Sequence, residues 1–271
     1  MVVYAGQGDV RRSMALLWRG RDAGAAPARP GPRQGLTVDE IVDAAVELAD
    51  EEGMASVSMR TVGKRLNRTG MALYTYIPSK SELVDLMYDR VLAQLPTEYD
   101  LTVGWRAAAK TWAEDYWTFC LRHPWVLQVS QARPVLGPNE YVTIETLLRV
   151  LTVAELPPDT LRGFVWTLMN FVRGSAQAIA ETRQAPKVTG VSDDEWWYAR
   201  SAMLEEVAPD FGDQFPLLVQ LESSRTAQPP DDCRPEDGQP EDGGLPYMEH
   251  QATVTFRSGL QLLLDGAEAN R

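Results

Sequence analysis

Apolar residues recur every three or four positions through most of this chain, and the first such stretch begins at Leu36. Thr37 and Glu40 form a Thr-x-x-Glu pattern, which is typical of a helix start, and Gly53 is typical of a helix end. The apolar positions between them share one helical face, and acidic residues lie outside it. The pattern therefore predicts an amphipathic helix between Thr37 and Gly53.

Two short helices and a longer one are predicted next. The apolar spacing from Ser58 predicts a helix of about two turns. A turn at 66–68 leads into a second short helix from Thr69, which Pro78 ends. A Ser-x-x-Glu pattern at 79–82 opens the longer helix. Two helices about a tight turn are typical of a helix-turn-helix unit.

The helix that begins at Thr69 has one face free for a partner. Leu73 and Ile77, four residues apart, can reach a core. The opposite face carries small, hydroxyl and aromatic groups and no acid: Thr69, Gly70, Met71 and Tyr74. Such a surface suits base edges and phosphates in a major groove, and Lys80 beside the free N–H groups of the next helix favours a phosphate. The sequence therefore predicts a recognition helix.

Charge supports this interpretation, because the 271-residue chain is acidic overall, with a formal net charge of -12. Between Gly53 and Ser81 there is no acidic residue and there are five basic ones: Arg60, Lys64, Arg65, Arg68 and Lys80. Beyond residue 95 the chain has 14 basic and 26 acidic residues, which should repel nucleic acid. One basic window on an acidic chain predicts where a polyanion binds. The alternative is that these charges only solvate helix faces.

These segments resemble the DNA-binding domain of TetR-family transcriptional regulators. The resemblance rests on the runs LTVDEIV at 36–42, SMRTVGKRL at 58–66 and MALYTYIPSKSEL at 71–83, and it covers residues 36–95. A departure is Asn67, where a glycine often follows the leucine. The resemblance implies that DNA is faced by Arg60, Thr69, Gly70, Met71 and Tyr74, with Tyr76 and Lys80 near the backbone.

Residues 1–35 are rich in Gly, Ala, Pro and Arg, which predicts a flexible basic arm. Two interpretations stay open for it: an extension that reaches the minor groove or phosphates, and a segment with no role. The apolar run from Ser13 to Trp18 is too short for a signal peptide or a membrane span. The sequence therefore predicts neither targeting nor a membrane association.

Residues 96–271 show helical spacing and no alternating pattern, so we expect an all-α chain. The predicted helices run over 105–121, 138–153, 158–183, 192–207 and 250–266. The acidic, Pro- and Gly-rich stretch at about 222–249 predicts a disordered loop. The helix over 158–183 is widely apolar and carries small residues, which favours close packing against a partner helix in a homodimer.

Chemistry-bearing motifs are few. The two cysteines, Cys120 and Cys233, lie far apart, which favours a cytoplasmic protein without a disulfide framework. With His123 and His250 as the only histidines, no metal-ligand set is present, and no catalytic or cofactor motif occurs. We therefore predict no metal, no cofactor and no enzyme, although an all-α enzyme with a buried acid pair stays an alternative.

The C-terminal half resembles a tetracycline-repressor-like C-terminal domain, through His123-Pro-Trp, Arg133-Pro, Gly137-Pro-Asn and the closing stretch from Phe256. This implies a dimer formed by the long and last helices, and a ligand pocket between helices. Aromatic residues with a few polar ones supply such a pocket. The candidates are Trp112, Tyr116, Trp117, Arg133, Trp166 and Asn170. The alternative for each aromatic side chain is core packing.

The sequence thus predicts a homodimeric repressor that binds a palindromic, double-stranded operator and is released by a small-molecule effector. The domains are 1–35, 36–95 and 96–271. The alternatives are a ligand-independent or protein-controlled repressor, an activator, and the all-α enzyme.

Overall fold

A computed structural model of the chain describes residues 3–19, 35–226 and 245–271. Within these ranges the elements are helices, apart from one isolated bridge between Val3 and Val129, and this confirms the all-α prediction. The helices are α1 (Val10–Leu17), α2 (Val38–Glu52), α3 (Met59–Arg65), α4 (Gly70–Leu73), α5 (Lys80–Leu92), α6 (Trp105–Arg122), a 3-10 helix (Pro124–Gln128), α7 (Pro138–Thr152), α8 (Pro158–Thr189), α9 (Asp193–Val207), α10 (Phe211–Gln214), α11 (Pro216–Thr226) and α12 (Tyr247–Glu268).

The described residues form two compact units. Unit 1 combines Met1–Gln177 with Gly259–Arg271, and unit 2 is Ala178–Ser258. Unit 1 contains α1 to α7 with the first part of α8 and the last part of α12. Helices α9, α10 and α11 lie in unit 2. None of the side chains of α9 and α10 is fully buried.

Capping side chains begin α2, α3 and α5 where the sequence predicts. Thr37 accepts a hydrogen bond from the Glu40 N–H, and the Glu40 carboxylate accepts one from the Thr37 N–H at 2.8 Å. Ser58 accepts from the N–H of Thr61 in the same way, and Ser79 accepts from two N–H groups of the first turn of α5. Each cap satisfies backbone donors that a helix start leaves unpaired. The helices so started pack on a fully buried core of Ile41, Ala45, Val57, Val62, Leu73, Ile77, Leu83, Met87 and Val91.

The first part of the chain differs from its prediction. Residues 3–19, which we call the N-terminal segment, are folded against unit 1, so the flexible arm predicted for 1–35 is wrong there; residues 20–34 lie outside the described ranges. The N–H of Val3 donates to the Gln128 carbonyl at 2.8 Å, and the indole of Trp18 donates to the Leu136 carbonyl at 3.0 Å. Long-range hydrogen bonds thus order a segment whose composition alone is typical of disorder.

The far end of the chain is also more helical than predicted. Helix α8 continues to Thr189, and α10 and α11 were not predicted. Of the stretch 222–249 that was predicted as a disordered acidic loop, 222–226 and 247–249 belong to helices, and 227–244 lie outside the described ranges. Glu249 is buried and pairs with Arg183 at 2.6 Å, so this acid is held in structure rather than solvated.

A buried carboxyl joins the N-terminal segment to α5. Asp85 is 1% exposed and accepts from the N–H of Gly6 at 3.1 Å. Burial raises the pKa of Asp85 to about 6, against the opposing effects of the Gly6 N–H and the Ser13 hydroxyl, and the Glu82 and Glu140 carboxylates raise it further. The folded pKa therefore lies above that of an unfolded chain, and stability falls as the pH rises between about 4 and 6.

We predict that Asp85→Asn raises the free energy of unfolding at pH 7.5 by about 1–2 kcal/mol, because the amide keeps an acceptor for Gly6 without a buried charge. The gain should vanish near pH 4, where wild-type Asp85 is already protonated. Urea unfolding at both pH values measures it. The exposed Glu145→Gln, on α7, should change stability by less than about 0.5 kcal/mol at either pH. An equal gain at both pH values would contradict the prediction.

Candidate nucleic-acid interface and ligand cavity

The turn between α3 and α4 has the geometry of a helix-turn-helix. The Arg68 N–H donates to the Gly63 carbonyl at 2.8 Å, which closes the end of α3. Asn67 adopts a φ of 54°, in the left-handed region. Asn tolerates this region better than most residues, so the turn forms here without a glycine at position 67.

Two glycines let the backbones of α3 and α4 meet. A Cβ on Gly63 would lie 3.0 Å from both the Arg68 carbonyl oxygen and the Gly70 nitrogen. A Cβ on Gly70 would lie 3.1 Å from the Met59 carbonyl oxygen and 3.2 Å from the Arg60 Cα. These neighbours are backbone atoms and cannot turn aside as a flexible side chain would. The sequence predicted Gly70 to face DNA, and the structure gives this half-buried residue a packing role against α3.

The crossing of α3 and α4 leaves most of the other residues that were predicted to contact DNA at the protein surface. Met71 and Tyr74 are 76% and 43% exposed, while Leu73 and Ile77 are fully buried on the opposite face. The remaining predicted contacts are placed as follows: Arg60, Thr69 and Lys80 are exposed and Tyr76 is half-buried. The Thr69 hydroxyl also caps α4 by accepting from the Ala72 N–H at 3.3 Å. An apolar and aromatic surface of this kind suits contact with base edges.

The five basic residues of this region have different roles. Arg65 binds both carboxylate oxygens of Glu51 at 2.7 Å and also reaches Glu47, so its charge is matched within the protein. Among the described residues, the other four form no ion pair, and all are exposed: Arg60, Lys64, Arg68 and Lys80. We call these four the unpaired basic residues. They leave a positive surface on a chain of net charge -12.

A cavity of about 210 Å³ lies in unit 1 among α5, α6, α7 and α8. Three of the six predicted ligand residues line it, namely Tyr116, Trp166 and Asn170. The other three do not: Trp112 is buried in the core, Trp117 lies outside the lining, and the Arg133 guanidinium is exposed, 5.9 Å from the ring of Tyr4. Trp112 lies one turn before Tyr116 on the same face of α6, and its ring packs 5.2 Å from that of Tyr116 in the core, whereas Trp117, next to Tyr116 in sequence, lies on another face.

Several lining residues were missed from sequence. The polar ones are Tyr88, Gln131, Glu140, Thr143 and Arg173. A signal did exist for Arg173, which follows Trp166 by seven residues and Asn170 by three on α8 and so shares their face. The residues from α5, α7 and the 131–134 loop carry no such signal, because only the tertiary fold brings them to α8.

The cavity wall contains a neutral polar cluster around Arg173. The Nη2 of Arg173 donates to the carbonyls of Val126 and Val129, both at 3.2 Å. The phenol of Tyr88 accepts from the Gln131 amide at 3.2 Å. Burial raises the pKa of Tyr88 to about 12 and raises the pKa of Tyr116 as well, so both phenols stay neutral at physiological pH. Only Arg173 brings a full charge to this cluster.

A second set of hydrogen bonds joins the cavity side of the unit to α2. Asp50 Oδ1 accepts from the indole N–H of Trp125 at 2.8 Å and lies 2.8 Å from His123 Nδ1. The other ring nitrogen of His123 lies 3.1 Å from the side-chain oxygen of Gln94. His123 and Trp125 are buried, so these bonds are shielded from water. Asp50 therefore ties the end of α2 to the 3-10 helix whose Val126 carbonyl binds Arg173.

The described residues contain neither a membrane-spanning helix nor a metal-binding cluster. No helix there is both long and apolar enough to cross a membrane. No group of three or more His, Cys, Asp or Glu side chains in those ranges is arranged to hold a metal ion.

Two family models and several known proteins are similar to this chain. The family model described as bacterial regulatory proteins, tetR family, matches residues 41–87, and the one described as tetracyclin repressor-like, C-terminal domain, matches residues 100–232. The HTH-type transcriptional repressor DrrR1 of Streptomyces coeruleorubidus is 36% identical over 267 residues, which are 97% of this chain and 87% of DrrR1. An HTH-type transcriptional regulator of Saccharopolyspora erythraea is 30% identical over 143 residues, 53% of this chain and 61% of that protein.

A solved structure shares the fold. ActR of Streptomyces coelicolor, in complex with actinorhodin, superposes with a TM-score of 0.66 at 22% identity, covering 87% of this chain and 97% of ActR.

We predict that Gly63→Ala lowers the free energy of unfolding by about 1–3 kcal/mol, because the added methyl group overpacks the crossing of α3 and α4. The matched control is Gly212→Ala on α10, an exposed glycine where the nearest atom to an added Cβ, in the Val219 side chain, lies 4.0 Å away. That change should be neutral or stabilise by up to about 1 kcal/mol, since alanine favours a helix over glycine. Urea unfolding measures both variants. Equal effects of the two substitutions would show that the crossing is not tight.

Proposed function

We propose, from the premise that this chain belongs to the TetR family of bacterial transcriptional regulators, that it is a homodimeric repressor which a small molecule releases from its operator. Membership makes the chain a DNA-binding regulator rather than an enzyme, and this confirms the prediction from sequence. The description of DrrR1 as a repressor supports repression over activation. We infer the cytoplasm as its location, since its operator lies there.

One observation carries the DNA-binding part of the proposal. The unpaired basic residues and the exposed side chains of Met71 and Tyr74 surround a tight α3 and α4 crossing on an otherwise acidic chain. Cations near phosphates release counterions, and this release supplies affinity that depends on salt. The exposed side chains of Met71 and Tyr74 are proposed to contact base edges, which would supply specificity.

Dimerisation brings two α4 helices to one operator. Recognition helices of helix-turn-helix dimers enter major grooves about 34–36 Å apart, so a two-fold dimer favours a palindromic site. Gly163 and Gly174 on α8 have no described atom within 4 Å of an added Cβ, so this helix has space for a close partner. We propose α8 and α12 as the dimer helices.

The cavity supports the ligand-responsive part. It is walled by aromatic and apolar side chains with a few polar groups, which is typical of small-molecule sites. ActR, which shares the fold, is solved in complex with actinorhodin, and this supports a small-molecule ligand for the present chain. A cavity of about 210 Å³ also argues against a ligand-independent repressor with a filled core.

The proposed route from ligand to DNA runs through contacts on the cavity wall. Arg173 holds the Val126 carbonyl, and the neighbouring Trp125 and His123 hold Asp50 at the end of α2. A ligand that moves Arg173 would therefore shift the 3-10 helix and α2, and with α2 the position of α4. The effect on DNA can be no larger than the difference in the ligand's affinity for the two states.

The direct test is operator binding by fluorescence anisotropy on the gene's own upstream region across a salt series. We expect nanomolar, fragment-specific binding whose affinity falls steeply with salt. Weak binding that does not distinguish DNA fragments would contradict the proposal for this region.

Arg60→Ala tests which cations face DNA. We expect operator affinity to fall by about 10-fold or more, since a base or phosphate contact contributes about 1–3 kcal/mol. Arg65→Ala should instead leave the salt slope unchanged, because Arg65 is held by Glu47 and Glu51. Arg162→Ala, an exposed arginine on α8, controls for net charge. Wild-type affinity for the Arg60 variant would count against the proposed interface.

A further inference from the structure

Arg173 has an incomplete set of hydrogen bonds at the cavity wall. Its Nη2 binds two backbone carbonyls, but Nη1 is buried and has no hydrogen-bond partner among the described residues. A buried donor without an acceptor costs about 1–3 kcal/mol, and more when it is charged. Such an atom at the wall of a cavity is a place where a ligand acceptor would restore the lost bond.

The positive charge of Arg173 also has no ion-pair partner among the described residues. The titratable groups beside it are Tyr88, Tyr116 and Cys120. Burial raises the pKa of Tyr88 and of Cys120 to about 12 and raises the pKa of Tyr116, so all three stay neutral. The Arg173 guanidinium itself stays protonated at any pH at which a protein is folded.

Glu140 is the one acid that lines the same cavity. Its carboxylate is directed to the backbone, where it accepts from the Leu136 N–H at 2.6 Å. Burial raises the pKa of Glu140, and the nearby positive charge of Arg173 opposes that shift. A ligand anion is therefore attracted to the Arg173 end of the cavity and not to the Glu140 end.

The remaining walls restrict the body of the ligand. They are aromatic and apolar: Tyr88, Leu92, Tyr116, Ile144, Trp166 and Met169. An apolar cavity of about 150 Å³ in another protein holds one benzene ring. At about 210 Å³, this cavity has room for a planar ring system slightly larger than one ring.

We propose that the effector is a planar aromatic anion of about two fused rings, whose anionic oxygen binds Nη1 of Arg173. This deepens the ligand-responsive part of the proposed function and rests on it. The anionic oxygen completes the hydrogen bonds of a guanidinium that the protein leaves half satisfied, and the rings pack between Tyr116 and Trp166. A charge-assisted bond of this kind is stronger than a bond between neutral groups.

The test compares two probes of equal shape, 2-naphthoate and the neutral 2-naphthamide, by isothermal titration calorimetry on the full wild-type chain. We expect 2-naphthoate to bind about 10- to 100-fold more tightly, as a hydrogen bond to a charged group predicts. In Arg173→Gln this preference should disappear. In Arg162→Gln, which changes an exposed arginine on the same helix, the preference should stay as in wild type.

Arg173→Gln also removes the bonds to the Val126 and Val129 carbonyls, so its fold needs a second check. Arg173→Lys keeps the charge and should retain a preference for the acid of at least several-fold. The comparison of the two probes on wild type needs no variant at all. Equal binding of acid and amide, no binding of either probe, or an acid preference that persists in a folded Arg173→Gln would each overturn the inference.

Operator binding by the wild-type chain separates the two proposals. A wild-type chain that binds its operator but does not prefer the acid would overturn this inference alone. A chain that prefers the acid but binds no operator would support the site and overturn the proposed function.

Discussion

The surface of this regulator depends on the close crossing of α3 and α4. At Gly63 and Gly70 the two backbones lie too near for any side chain to fit between them. That distance sets the rotation of α4, which directs Leu73 into the core and leaves Met71 and Tyr74 outside. The residues proposed to face DNA are therefore positioned by contacts within the protein. A larger side chain at either glycine would move the whole face rather than one contact, because the backbone has no room to yield.

Helix α5 links this face to the cavity. It begins at Lys80, close after α4, and two of its residues, Tyr88 and Leu92, line the cavity. Between them Asp89 accepts from the N–H groups of Asn139 and Glu140 at the start of α7. One helix thus forms part of the helix-turn-helix core, a wall of the cavity and the cap of a neighbouring helix. Since these packed elements are not continuously deformable, we expect a change at the wall to shift the helix as a unit.

The sequence predicted the features that depend on nearby residues. The caps at Thr37, Ser58 and Ser79 are local patterns, and the structure shows their hydrogen bonds. The outward position of Tyr74 follows from helical spacing in the same way. The N-terminal segment was missed, because its order comes from partners more than 100 residues away, such as the Trp18 contact with Leu136. For the same reason only three of the six residues predicted to bind a ligand line the cavity, and their role in binding stays a prediction.

Asp89, Asp85 and Arg173 are charged groups of unit 1 that the fold stabilises to different degrees. Asp89 is buried and accepts three hydrogen bonds from Asn139 and Glu140, so its negative charge is well stabilised by the fold. Asp85 has fewer donors, and its raised pKa near 6 shows that the fold tolerates it best when protonated. Arg173 is stabilised in neither of these ways. A guanidinium cannot be neutralised by losing its proton, and its Nη1 has no hydrogen-bond acceptor among the described residues. The guanidinium of Arg173 thus stays charged with an incomplete set of hydrogen bonds at the wall of a cavity, which is the arrangement expected of a group that binds a ligand.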